Sequence, residues 1–156
     1  MGHSKKHLTQ VRTMADYQFG KGCGLTLFPD DVTFQLSKTK RVRQILYKEK
    51  RIATVRAKDG TLTLSLYGAE LVKGCVLKDA LRVVVCEDAV PFVSKGKTAF
   101  AKHVVSIDQN LRAGEEVLVV DKSDELIATG QLLLSPDEIS VLDKGGAVDI
   151  RWGKDQ

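Results

Sequence analysis

Lys95, Lys97, Lys102 and His103 gather around Gly96 in the stretch PFVSKGKTAFAKHVV, residues 91–105. No acidic residue lies between Asp88 and Asp108, although residues 81–156 hold 9 Lys+Arg against 13 Asp+Glu. Such a turn suits anion binding. Glycine lets backbone approach a ligand closely, lysines neutralise phosphates, and exposed N–H groups add donors. Phe100, Tyr17, Phe19, Tyr47 or Trp152 could stack on an unpaired base. Phe100, on a strand, reads first as a core residue. Trp152, beside Arg151 and Lys154 near the end of the chain, reads equally well either way.

Other chemistries find little support. The sequence contains neither a P-loop nor a dinucleotide-binding glycine pattern. Gly20-Lys21-Gly22-Cys23-Gly24 is glycine-rich, but without a clear strand before it or helix after it. It reads as a flexible loop and not as a phosphate cradle. His103 is the one histidine in a region expected to fold, and nothing ties a nucleophile to it. No catalytic residue, and hence no enzyme activity, is expected, and no cofactor. His3 and His7 have i, i+4 spacing but lack further ligands, so no metal site is expected. Cys23, Cys75 and Cys86 are odd in number and widely separated, which fits reduced thiols and a cytoplasmic protein. No apolar run approaches the roughly 20 residues that span a bilayer, so no membrane partner is expected.

The net charge of +4 is unevenly divided. Residues 1–80 hold 15 Lys+Arg against 7 Asp+Glu. This asymmetry fits contact with a polyanion, or simply a solvated basic face. Nine cations fall between Lys38 and Lys58, with Glu49 the only acid among them. Arg41 and Arg43, two apart, share a face if the segment is a strand.

The elements that must position these residues are mostly short strands. Residues 42–66 read as an antiparallel meander with turns at Lys48-Glu49-Lys50 and Asp59-Gly60. Its last strand is the alternating run Thr61–Leu66. Beyond a boundary near Lys73–Asp79, the run Leu81–Cys86 reads as a buried strand. A helical turn at Asp88–Val93 ends at Gly96. Strands follow at Ala99–Ile107, Glu116–Val120 and Leu126–Leu134. Ser135 caps a short helix with Pro136 in its first turn, and Ala147–Trp152 is a closing strand. Short strands at this spacing suggest a small barrel-like sheet.

Three passages of the second half together resemble a PUA domain, an RNA-binding module. They are VSKGKTAFAKHVVSID (Val93–Asp108), LRAGEEVLVVDKSDELIATGQLLLS (Leu111–Ser135) and KGGAVDIRW (Lys144–Trp152). ADYQFGKGCG (Ala15–Gly24) and LFPDDV (Leu27–Val32) resemble the module before the PUA domain in archaeosine tRNA-guanine transglycosylases. The resemblance implies an α+β chain: a small antiparallel N-terminal module followed by a PUA-type β pseudo-barrel with two short helices. The expected divisions are a flexible tail over 1–13, a pre-PUA antiparallel meander module over 14–78 and a PUA domain over 79–156.

It also implies a role. In PUA domains the first helix, the glycine loop with its strand, and the closing strand together hold RNA. Here Lys95, Gly96, Lys97, Thr98, Ala99 and Phe100 occupy the loop and strand, with Lys102 and His103 following. Arg151, Trp152 and Lys154 occupy the closing strand and its exit. Arg41 and Arg43 are expected to extend the footprint by positioning RNA, not by reading its sequence. The transglycosylase's catalytic barrel needs about 250 residues, which 156 cannot supply. The expected role is therefore non-catalytic binding of tRNA or other structured RNA, beside a separately encoded catalytic transglycosylase subunit. The alternative is an adaptor of an RNA-modifying complex, whose basic meander docks on an acidic partner.

Overall fold

The computed structural model describes residues 2–156, with side chains from Lys5 onward, so the His3 side chain lies outside it. The chain divides into two compact units, 1–76 and 77–156.

In the first unit, helix α1 (Gly2–Phe19) covers most of what the sequence suggests is a tail. Val11, Ala15 and Phe19 recur every fourth residue and are all buried, so a helix stripe emerges from a polar-looking start. The glycine-rich loop leads into the five-residue α2 (Cys23–Leu27). Its exposed N–H groups are already satisfied: Gly22 and Gly24 donate to Asp16 Oδ1 at 3.1 and 2.7 Å. A carboxylate of the chain's own sits where an anion would bind.

Four strands follow as an antiparallel meander, β1 (Thr33–Leu36), β2 (Val42–Tyr47), β3 (Lys50–Val55) and β4 (Leu62–Leu64). The β2–β3 turn has positive φ at both Lys48 (50°) and Glu49 (69°), the twist a two-residue hairpin demands, achieved without glycine. β4 stops at Leu64, two residues before the alternating pattern does. Ser65 instead caps α3 (Leu66–Cys75), accepting from Gly68 N at 3.0 Å and donating to Arg51 O at 2.6 Å. Two glycines disguise this helix in the sequence. One of them is required by packing, since a Cβ on Gly68 would lie 2.1 Å from Ile52 O.

Cys23 and Cys75 hydrogen-bond to each other, and Cys86 is also free. Burial is the main cause that pushes the Cys75 thiol up to about 12, so it is protonated at neutral pH.

The second unit is a six-stranded sheet curled into a near-barrel, in the order β6-β10-β9-β8-β5-β7. Its strands are β5 (Arg82–Val85), β6 (Ala99–Phe100), β7 (Val104–Ile107), β8 (Glu116–Val120), β9 (Leu126–Leu132) and β10 (Gly146–Gly153). β5 and β8 run parallel and the other pairs are antiparallel. The expected strand over residues 99–107 is broken at Ala101–His103 by a 3₁₀ turn. Its two halves join different edges, β6 on β10 and β7 on β5, which is how the sheet curls. Val83, Val85, Val117, Val119, Ile127 and Val148 fill the interior at 0% exposure. Two short helices complete the unit. α4 (Val90–Val93) has Pro91 in its first turn, and α5 (Pro136–Val141) starts in a capping box made by Ser135 and Glu138.

Removing the Ser65 hydroxyl leaves the Gly68 N–H and the Arg51 carbonyl without this partner. Ser65→Ala should therefore lower unfolding free energy by about 1–2 kcal/mol, read from urea denaturation, while Ser65→Thr should retain most of it.

Candidate nucleic-acid interface

Helix α4 ends in a tight closure. Phe92 O accepts from both Lys95 N and Lys97 N, each at 3.1 Å, and Val93 O accepts from Gly96 N at 3.0 Å. Gly96 sits at φ 93°, the left-handed conformation that permits this turn. The sequence suggests that loop N–H groups would face a ligand. Those of residues 95–97 are instead used to close the helix, so the loop offers side chains.

The side chains are well placed. Lys95, Lys97 and Lys102 are exposed. Beside them lies a pocket of about 340 Å³ walled by Ala89, Phe92, Val93, Lys97, Thr98, Phe100 and His103. Phe92 and Phe100 are 61% and 43% exposed, so the expectation of Phe100 as a core residue is wrong. It stands at the rim because β6 is only two residues long and lies at the edge of the sheet. His103 meets its ring edge-on at 5.9 Å. The His103 Nδ1 is buried with no hydrogen-bond partner among the described residues. Ala99 is fully buried and paired with Val148, which withholds its side chain from any ligand.

The chain end closes against this loop. A Cβ on Gly153 would lie 2.2 Å from Ser94 O, and Asp155 N donates to that same oxygen at 2.8 Å. Gly153 N donates to Gln156 Oε1 at 2.7 Å, and the Gln156 side chain rests over Gly96. The loop and the exit of β10 are thus brought together, and Asp155 comes with them. A segment free of acids in sequence is not free of them in space.

The closing-strand residues divide. Trp152 is 39% exposed. Arg151 Nη1 grips both oxygens of Glu116, at 2.6 and 2.5 Å, and the Glu116 side chain is 4% exposed. Arg151 is therefore the counter-ion of a buried carboxylate, not a cation waiting for phosphate. Lys154 Nζ donates to Glu125 Oε2 at 2.8 Å, and that bond raises the lysine's pKa. No line of sequence marks either partner, because Glu116 and Glu125 lie 35 and 29 residues away.

In the first unit, Arg41 and Arg43 are both exposed and line one hollow.

Known proteins share both halves of this geometry. Residues 9–78 match the patch-forming domain C2 of tRNA-guanine transglycosylase, and residues 81–153 match the PUA domain. The chain carries a PUA domain over residues 81–153. Its PUA domain follows a C2-type domain, and the two matches take in all the strands described above. Over 152 residues the chain is 45% identical to a tRNA-guanine(15) transglycosylase of Thermococcus kodakarensis, covering 97% of this chain and 26% of the relative. It is 42% identical over 151 residues to one of Thermoplasma acidophilum, covering 96% and 24%. The chain thus spans about a quarter of these relatives' length and resembles their C-terminal region.

Two solved structures share the fold. A hypothetical protein from Pyrococcus horikoshii superposes with a TM-score of 0.73 at 21% identity, covering 97% of this chain and 92% of that one. A conserved PUA domain protein from Thermoplasma acidophilum gives 0.65 at 20%, covering 98% and 91%. No helix among the described residues is long and apolar enough to cross a membrane.

Two variants check the geometry. Gly96→Val forces a β-branched residue to positive φ beneath Gln156, and should cost about 1–3 kcal/mol by chemical denaturation. Arg151→Ala leaves Glu116 buried without its guanidinium, and should cost on the order of 3 kcal/mol. Adding Glu116→Gln to Arg151→Ala should recover much of that loss, which a role for Arg151 in ligand contact alone would not produce.

Proposed function

We propose that the PUA domain binds tRNA or another structured RNA through the Lys95–His103 segment. In this role the 156 residues act as a non-catalytic accessory to a separately encoded transglycosylase subunit. The single observation that carries the reading is the pocket between α4 and β6. Its walls are two exposed phenylalanines and a histidine, its rim is lysine, and no carboxylate lines it. Apolar and aromatic walls suit the face of an unstacked base, while Lys95, Lys97 and Lys102 suit the phosphates on either side of it. The names of the relatives, tRNA-guanine(15) transglycosylases, support tRNA as the RNA. They also support base exchange as the reaction served.

The direction of charge agrees. A second hollow along α4, lined by Glu87, Val90, Pro91, Asp121, Lys122 and Ser123, carries two carboxylates and would repel a phosphate chain. RNA is thereby steered to the lysine rim. Of the closing strand, Trp152 stays in the proposed footprint, whereas Arg151 and Lys154 already hold carboxylates.

Lys95→Ala combined with Lys97→Ala should weaken binding to folded tRNA about tenfold at moderate salt. Both side chains are exposed, so stability should move by no more than about 0.5 kcal/mol. Electrophoretic mobility shift and thermal melting check the two halves. Unchanged affinity would remove the glycine loop from the interface.

A further inference from the structure

Of the three cysteines, far apart in sequence, the fold brings two together. Cys23 opens α2 and Cys75 closes α3, and their thiols share a hydrogen bond. Cys86 belongs to the second unit.

Both sulfurs are carried by anchored backbone. The N–H groups of Gly22 and Gly24, on either side of Cys23, donate to Asp16 Oδ1, and Cys23 N donates to Gly20 O at 3.0 Å. Gly24 also lies so close to α1 that a Cβ there would sit 2.3 Å from Arg12 O. α3 is held at its start by the Ser65 cap and by the approach of Gly68 to Ile52. Its last turn is looser. Gly74 has open space around it, so this glycine weakens the helix without any packing demand. Cys75 Sγ also bonds Val72 O, at 3.4 Å.

Two adjacent thiols suit a metal or a disulfide. A structural zinc site takes four ligands, and no group of three or more His, Cys, Asp and Glu side chains gathers among the described residues. Asp16, whose charge reaches both sulfurs, is occupied by the glycine N–H groups. A disulfide is strained unless its two Cβ atoms stand within a narrow range, and thiols already in contact start near it. Exposure sets the order of events. Cys23 is fully buried and Cys75 half-buried, so a small oxidant meets Cys75 first.

We propose that Cys23 and Cys75 form an oxidation site, closed to an intramolecular disulfide by a peroxide. The Cys75 sulfur attacks one peroxide oxygen, the O–O bond breaks, and the departing hydroxide takes the thiol proton and leaves as water. The Cys23 sulfur then attacks the sulfenic sulfur of Cys75. The S–S bond forms as the S–O bond breaks, and the hydroxyl leaves with the Cys23 proton as a second water. Two electrons have passed from the sulfurs to the peroxide. The loop so closed contains β1 to β4 entire, and closing it restricts the unfolded chain, so the crosslink stabilises the first unit. Burial keeps Cys75 protonated at neutral pH, its thiol pushed up to about 12. The reaction is therefore slow, because the thiolate is the reactive form, and it proceeds through fraying of the loose last turn. The site shares no residue with the pocket of the PUA domain and does not rest on RNA binding.

The test exposes the full chain to hydrogen peroxide without denaturant. Remaining thiols are then blocked with N-ethylmaleimide in denaturant, and the chain is digested with trypsin without reduction. Mass spectrometry should find residues 22–38 joined to residues 74–78, lighter by two hydrogen atoms than the separate peptides, with Cys86 read apart on residues 83–95. The crosslinked product should run as a monomer without reductant. One calorimetric melting transition should rise by about 10 °C and fall back after dithiothreitol. Cys23→Ala should show neither the crosslink nor the rise; should that variant fail to fold, the peptide map of the unaltered chain decides alone. Recovery of both cysteines alkylated after prolonged exposure overturns the proposal. So does Cys75 carried on to sulfinic or sulfonic acid while Cys23 stays a thiol, a Cys75 bond to a second chain, or a crosslink that appears only in unfolding denaturant. A crosslinked chain that melts no higher than the reduced one overturns the stabilising role.

Discussion

The candidate interface of the PUA domain depends on one close approach of backbone to backbone. At Gly153 the closing strand comes so near Ser94 that a single methyl group would not fit, and Asp155 N–H is bonded to the same carbonyl. That approach fixes where α4 ends relative to the sheet. With α4 fixed, Phe92 O can gather two loop N–H groups, Gly96 can turn the chain, and β6 can begin at Ala99 on the edge of β10. Phe92 and Phe100 then stand on either side of a gap instead of collapsing on each other. β10 is tolerant of such proximity because its other neighbour also yields: Gly130 on β9 faces Asp149 O at a distance no Cβ could occupy. Two glycines on two strands thus create room for aromatic side chains far larger than themselves.

A second theme is that the number of cations says little until their partners are known. In sequence, Arg151, Lys154, Arg41 and Arg43 look alike. In space the first two hold carboxylates contributed by β8 and by the loop before β9, and the other two hold none among the described residues. An arginine whose charge neutralises a buried glutamate cannot be lent to a phosphate without exposing that glutamate's desolvation cost. Partner status, not formal charge, separates a binding surface from a structural one, and it is set by strand register.

Register explains what the sequence could and could not tell. Features written within a few residues were legible: the Ser135–Glu138 cap, the Asp59-Gly60 turn, the presence of an alternating strand after that turn (though not its end at Leu64), and the glycine at the end of α4. The PUA fold was legible from the resemblance as a whole. Illegible features were those decided at a distance. Among its described side chains α1 shows only three buried positions in a polar run. α3 hides behind glycines, one of which is there for a carbonyl on β3. The break at Ala101–His103 looks like continuous strand until the two halves must serve opposite edges of a curled sheet. The loop N–H groups, counted as donors for a ligand, were already answered by Phe92 and Val93.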